Sequence, residues 1–162
     1  MIKPQTIALG LGTASLLLLL AVLGFQYLAR MPPCELCLWQ RWPHVGAVVV
    51  GFGGPLLIRA GLLERGAARG VAALAALLIA ISGAIGVYHA GVEWHWWPGP
   101  QSCTGPAFHY TGGPLDLNTP VVLCDMAAWR LFGLSLAGYN ALVSFTIAGL
   151  GAILLARTGR KA

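Results

Sequence analysis

Ile7-Ala-Leu-Gly-Leu-Gly-Thr-Ala-Ser-Leu-Leu-Leu-Leu-Leu-Ala-Val-Leu-Gly-Phe-Gln-Tyr-Leu28 runs for 22 residues without a charge. Wound as an α-helix it is about 33 Å long, enough to cross a hydrocarbon core of about 30 Å. It is too long for the apolar core of a signal peptide, Lys3 is the only basic residue ahead of it, and no Ala-x-Ala site follows. The stretch therefore reads as a retained span. Three more apolar runs follow, at residues 40–58 (uninterrupted only from 42), 71–92 and 131–156. The expected fold is an all-α membrane protein, one integral domain over 1–162, built as a four-transmembrane-helix bundle.

Composition agrees. Apolar residues make up 57% of the 162 and charged residues only 9%, against about 25% charged in a water-soluble domain. The net charge of +5 does not mark a nucleic-acid binder, because the basic residues lie between and beyond the apolar runs and not along one face. Their placement sets topology instead. Lys3, Arg59, Arg65, Arg69, Arg157, Arg160 and Lys161 fall on one side of the spans, and only Arg30, Arg41 and Arg130 on the other. By the positive-inside rule both termini and the loop 59–70 are cytoplasmic, and the loops 29–39 and 93–130 lie on the outer side. Glu93-Trp-His-Trp-Trp-Pro98, at the start of the long outer loop, reads as a short interfacial segment. Gly66-Ala-Ala-Arg-Gly70 matches GxxxG but sits in the basic loop, so Ser82 and Gly86 on the third run are the better candidates for close helix packing.

All four cysteines fall on the outer, oxidising side: Cys34 and Cys37 as a C-x-x-C, and Cys103 with Cys124 in the long loop. Leu38 stands where haem attachment needs a histidine. A zinc site using all four is disfavoured, because 21 residues separate Cys103 from Cys124 and because the compartment favours disulfides. Pro32 and Pro33 stop the first helix and suit the start of a second, whose unpaired amides would favour a thiolate near Cys34. Arg41 follows Cys37 at i+4, on the same helical face, where a guanidinium stabilises a thiolate or holds a carbonyl-bearing partner. An arginine at the mouth of an apolar run snorkels or serves function; the adjacent C-x-x-C points to function. His89, near the outer end of the third run, is a further candidate. His44, His95 and His109 show no spacing that pairs them with a second ligand.

Four spans, Cys34-x-x-Cys37-x-x-x-Arg41 and a cysteine pair in the long outer loop together resemble the DsbB family of disulfide-generating membrane proteins. Tyr88-His-Ala-Gly-Val-Glu93 and Trp129-Arg-Leu-Phe-Gly-Leu134 are similar to that family as well. The resemblance implies location in the bacterial inner membrane and a relay with a periplasmic DsbA-like, thioredoxin-fold oxidase. It implies disulfides Cys34–Cys37 and Cys103–Cys124, with Cys103 attacked by the partner and a transient Cys34–Cys124 bond. Cys37 would then pass electrons to ubiquinone or menaquinone from the membrane pool through a charge-transfer contact. Arg41 would hold the quinone, and His89 would line the same site. Glu35 inside the C-x-x-C departs from an apolar pair and opposes thiolate formation unless the helix N-terminus offsets it. The outer pair is also closely spaced for the family. The vitamin K epoxide reductase family shares the scaffold, but there the quinone-facing C-x-x-C follows the loop pair, whereas here it precedes it. A non-enzymatic membrane protein with static disulfides or a metal site is the alternative of another class.

Overall fold

The computed structural model describes residues 2–104 and 122–159. Four helices account for most of them: α1 Pro4–Tyr27, α2 Glu35–Arg59, α3 Ala68–Glu93 and α4 Leu136–Gly159. A 3-10 turn, Arg65–Ala67, leads into α3. A two-stranded antiparallel hairpin, β1 Arg130–Leu131 and β2 Leu134–Ser135, precedes α4 with Arg130 opposite Ser135. The apolar run at 131 therefore begins in the hairpin and not in the helix. Its turn is Phe132-Gly133, both at positive φ (49° and 81°), the pairing that a two-residue hairpin turn needs.

Three helical stretches are long and apolar enough to cross a membrane: Pro4–Tyr27, Arg65–Glu93 and Leu136–Thr158. The chain is thus a helical membrane protein with three candidate spans among its described residues. The second helix, 25 residues long, reaches about 37 Å. Gln40, Arg41, His44 and two internal prolines, Pro43 and Pro55, dilute its apolar character. Pro43 also leaves the carbonyl four residues before it without an intrahelical donor.

Successive helices run antiparallel. A Cβ added at Gly51 in α2 would lie 2.7 Å from both Ala8 O and Gly12 Cα in α1; farther along, Ser15 meets His44. Gly86 in α3 allows the same closeness to α4, where a Cβ would stand 3.0 Å from Ala137 O and from Ala141 N. By contrast, nothing lies within 4 Å of a Cβ added at Gly66 or Gly70, so that GxxxG makes no packing face. The core is correspondingly small-sided: Ile7, Ala8, Leu11, Ala47, Ala72, Ala75, Ile79 and Ala148. Large side chains such as Leu17, Val49, Leu77 and Leu150 point outward, the arrangement expected of helices whose solvent is lipid. Arg69 donates to Thr158 Oγ1 at 2.8 Å, joining α3 to α4 at the bundle end away from the cysteines. His109, Arg160 and Lys161 lie outside the described residues.

Candidate redox site

Chain entry into α2 builds the site. Pro32 and Pro33 hold the approach extended, and Cys34 becomes the N-cap, with φ −77° and ψ 173°. Its sulfur accepts from the Cys37 backbone N–H at 3.2 Å, satisfying one of the unpaired amides of the first turn. Glu35 occupies that same turn, where a carboxylate complements the positive end of the helix. Cys34 and Cys37 are both free thiols with their sulfurs 2.8 Å apart. That separation lets the disulfide implied by the family resemblance close or open with little movement of either side chain.

One turn further on, Arg41 Nη1 donates to Gln26 Oε1 of α1 at 2.6 Å. Cys37, Gln40, Arg41 and His44 form one stripe of α2, and this stripe walls a cavity of about 200 Å³ between α1, α2 and α4. Leu18, Val22 and Phe25 of α1 and Val143 of α4 give it a mostly apolar lining.

The other side of the thiol pair faces α3 and the outer loop. His89 Nε2 lies 3.5 Å from Cys34 Sγ and 3.7 Å from Glu93 Oε1. Cys103 and Cys124 are joined by a disulfide (S–S 2.05 Å, Cα–Cα 5.3 Å). Both are buried, and both pack in one cluster with Cys34, Leu36 and Val92, against which Cys37 and Val122 also lie. The two cysteine pairs are therefore neighbours, although 66 or more residues separate Cys37 from Cys103 in the chain. Arg130 Nη2 donates to the Glu93 backbone carbonyl at 3.3 Å, tying the hairpin to the end of α3.

The pair stands ahead of the apolar run of α2, and its two sulfurs are not equivalent. The hydrogen bond from Cys34 pulls the Cys37 thiol below the ordinary thiol range; burial and Glu93 oppose this, and Arg41 assists. Cys34 is pushed up, first because it is the donor to Cys37 and then by burial. Cys37, the sulfur on the cavity wall, is the one that ionises first.

All six residues singled out in the sequence are thus brought to one end of the bundle: Cys34, Cys37, Arg41, His89, Cys103 and Cys124. Sequence reasoning missed Gln26, Gln40, Glu93 and Asn140, and it left His44 unassigned. A buried polar residue inside an apolar run is the signal that would have found Gln40, His44 and Asn140. Ser82, read as a packing residue, also donates to the Gln40 backbone carbonyl at 2.8 Å. Of the tryptophan segment, Trp97 turns back on α3, its indole N–H donating to Tyr88 O at 2.8 Å and its ring stacking on Tyr88.

Comparison with known proteins gives the site its context. The family model described as disulfide bond formation protein DsbB matches residues 4–154. The chain belongs to the DsbB family. The DsbB match covers α1, α2 and α3, most of α4 and all four cysteines. A curated relative, disulfide bond formation protein B 2 of Pseudomonas aeruginosa, is 33% identical over 149 residues, covering 86% of this chain and 83% of that protein. Disulfide bond formation protein B of Verminephrobacter eiseniae is 28% identical over 169 residues, covering 97% and 87%. No solved structure gives a significant match. DsbB membership makes the chain a disulfide-bond-forming oxidoreductase of the membrane.

Proposed function

We propose that the protein reoxidises a periplasmic, DsbA-like thioredoxin-fold oxidase and delivers the electrons to ubiquinone or menaquinone. In this reading α2 is the fourth span, both termini are cytoplasmic and both cysteine pairs face the periplasm of the inner membrane. The observation that carries it is the position of Cys37: its sulfur lines an apolar cavity together with Arg41, while its partner Cys34 packs against the Cys103–Cys124 disulfide.

Partner dithiol and quinone yield partner disulfide and quinol, a transfer of two electrons and two protons. Thiol–disulfide exchange needs a thiolate to reach a disulfide sulfur. With the Cys34–Cys37 disulfide first formed at the expense of quinone, the partner's thiolate attacks Cys103 and frees Cys124. Cys124 then attacks Cys34, forming the Cys34–Cys124 bond and breaking the Cys34–Cys37 bond, which leaves Cys37 as the thiolate. The cavity fits a quinone head group: its walls are apolar, and Gln26 and the Arg41 guanidinium supply hydrogen-bond donors for ring carbonyls. A quinone bound there supplies a two-electron acceptor dissolved in lipid. Arg41 orients it and stabilises negative charge on oxygen, Cys37 faces it, and the surrounding leucine and phenylalanine side chains exclude water. His89 stands behind Cys34, on the side of the thiol pair that faces α3, and contacts the pair without lining the cavity.

Cys37→Ser abolishes quinone-dependent reoxidation of a thioredoxin-like partner while leaving the protein folded in the membrane. Sustained turnover by that variant contradicts the assignment. A second reading has one observation in its favour: ligand-capable atoms of Cys34, Cys37 and His89 lie within 4.8 Å of one another, a separation that suits a metal ion. Stoichiometric zinc in the purified protein decides for it.

A further inference from the structure

Seven buried or half-buried polar side chains, drawn from all four helices and the N-cap of α2, are linked end to end. Ser15 Oγ lies 3.2 Å from His44 Nδ1, and His44 Nε2 lies 3.2 Å from Asn140 Oδ1. Asn140 Nδ2 donates to Gln40 Oε1 at 2.9 Å, and Gln40 Nε2 lies 2.8 Å from His89 Nδ1. His89 Nε2 reaches Cys34 Sγ, which contacts Cys37 Sγ.

The direction of this chain is determined, because two links are pinned by backbone carbonyls, which only accept. Gln40 Nε2 donates to Leu36 O at 3.1 Å, and Asn140 Nδ2 donates to Ser82 O at 3.2 Å. Neither amide can be turned without setting an oxygen against a carbonyl oxygen. Asn140 Oδ1 must then accept from His44 Nε2, so His44 Nδ1 accepts from Ser15. At the other end, Gln40 Nε2 donates to His89 Nδ1, which leaves the proton of a neutral His89 on Nε2. That N–H faces the Cys34 sulfur and Glu93 Oε1, and the ring also lies against the Cys124 backbone carbonyl. With its lone pairs engaged by His89 and by the Cys37 amide, Cys34 directs its S–H at Cys37. Every donor from Ser15 onward points the same way.

We propose that this one-way hydrogen-bond chain selects Cys37 as the thiolate of the pair, with Gln40 and Asn140 as positioning residues that act through the tautomer of His89. Bonds aligned head to tail polarise one another, and here their positive ends converge on the Cys37 sulfur. The same direction puts a proton on the one His89 nitrogen that a metal ion would need, so the Cys34–Cys37–His89 cluster is kept for thiol chemistry. The chain's part in electron transfer rests on the function proposed above; its geometry and its effect on the two thiols do not. The titratable and charged groups facing Cys37 are Cys34 at the N-cap of α2, Arg41 within α2, and His89 and Glu93 from α3. His44 of α2 and Tyr139 of α4 line the same cavity, the tyrosine hydroxyl bonded to Leu131 O.

The test needs neither quinone nor partner. Ring-nitrogen NMR of isotope-labelled histidine in the reduced wild-type protein, with the His89 signals identified by their loss in His89→Gln, is expected to show Nδ1 bare and Nε2 protonated. A protonated Nδ1 overturns the proposal. Gln40→Glu places an acceptor-only carboxylate at Nδ1 and is expected to move a proton there; an unchanged tautomer overturns the link through Gln40. Alkylation of Cys37 against pH, read by mass spectrometry, is expected to shift up by about one unit in Asn140→Leu, roughly tenfold slower below the midpoint. An unchanged profile in a folded Asn140→Leu protein overturns the chain beyond Gln40. If these hold while quinone reduction fails, the functional reading is wrong and the chain stands.

Discussion

Replacing Arg41 by methionine keeps the length and apolar stem of the side chain and removes the guanidinium from the cavity wall. In the structure that group is fixed by Gln26, to which it donates at 2.6 Å, and it stands one helical turn, about 5–6 Å, beyond Cys37. Toward a neutral quinone carbonyl it offers a hydrogen bond worth about 0.5–1.5 kcal/mol; toward an oxygen gaining negative charge, about 1.5–3 kcal/mol. Arg41→Met is therefore expected to raise the KM for quinone by roughly 2- to 10-fold and to lower kcat/KM by roughly 10- to 100-fold. The larger fall in kcat/KM is the signature of a group that acts more strongly as charge develops. The assay is steady-state reoxidation of a thioredoxin-like dithiol in nanodiscs at varied short-chain quinone. Arg41→Lys, which keeps the charge and loses the planar fork, is expected to fall between the two. An Arg41→Met protein within twofold of wild type in both parameters would refute the assignment of Arg41 to the quinone wall.

Two further outcomes check the exchange route and the packing. Cys103→Ser is expected to abolish the mixed disulfide with the partner oxidase on trapping gels; an adduct forming at an undiminished yield removes Cys103 from the entry step. Gly51→Ala forces a methyl group against Ala8 O and Gly12 Cα, backbone atoms that cannot swing aside. It is expected to cost about 1–3 kcal/mol of stability, read as a lower unfolding midpoint in detergent, and an unshifted midpoint refutes the close α1–α2 approach.

Much of the fold was legible because apolar length is a local property. The run at 71–92 lies inside α3, and the run at 7–28 overlies α1 to within one residue at its C-terminal end, while α1 begins three residues earlier, at Pro4. The start of α4 was not legible: Leu131 and Phe132 look like the beginning of a span, and only the turn geometry at Phe132-Gly133 places them in a hairpin. For the site, the C-x-x-C and Arg41 declared themselves by i, i+3 and i+7 spacing on one helix. His89 could be suspected from its depth alone. The hydrogen-bond chain could not be read, because its links join residues as far apart as Gln40 and Asn140 and no local pattern encodes which helices become neighbours. Glu93 was taken as part of the tryptophan segment; only the last turn of α3 brings its carboxylate toward His89 and leaves one oxygen without a partner among the described residues.

Electron transfer between the Cys34–Cys37 pair and the quinone pool is tested most directly by anaerobic thiol trapping of the purified, reduced protein with and without ubiquinone. The account predicts that ubiquinone alone converts both thiols to the disulfide, with one quinol formed per pair. Thiols that stay reduced under ubiquinone, yet oxidise readily with a small soluble oxidant, would contradict it.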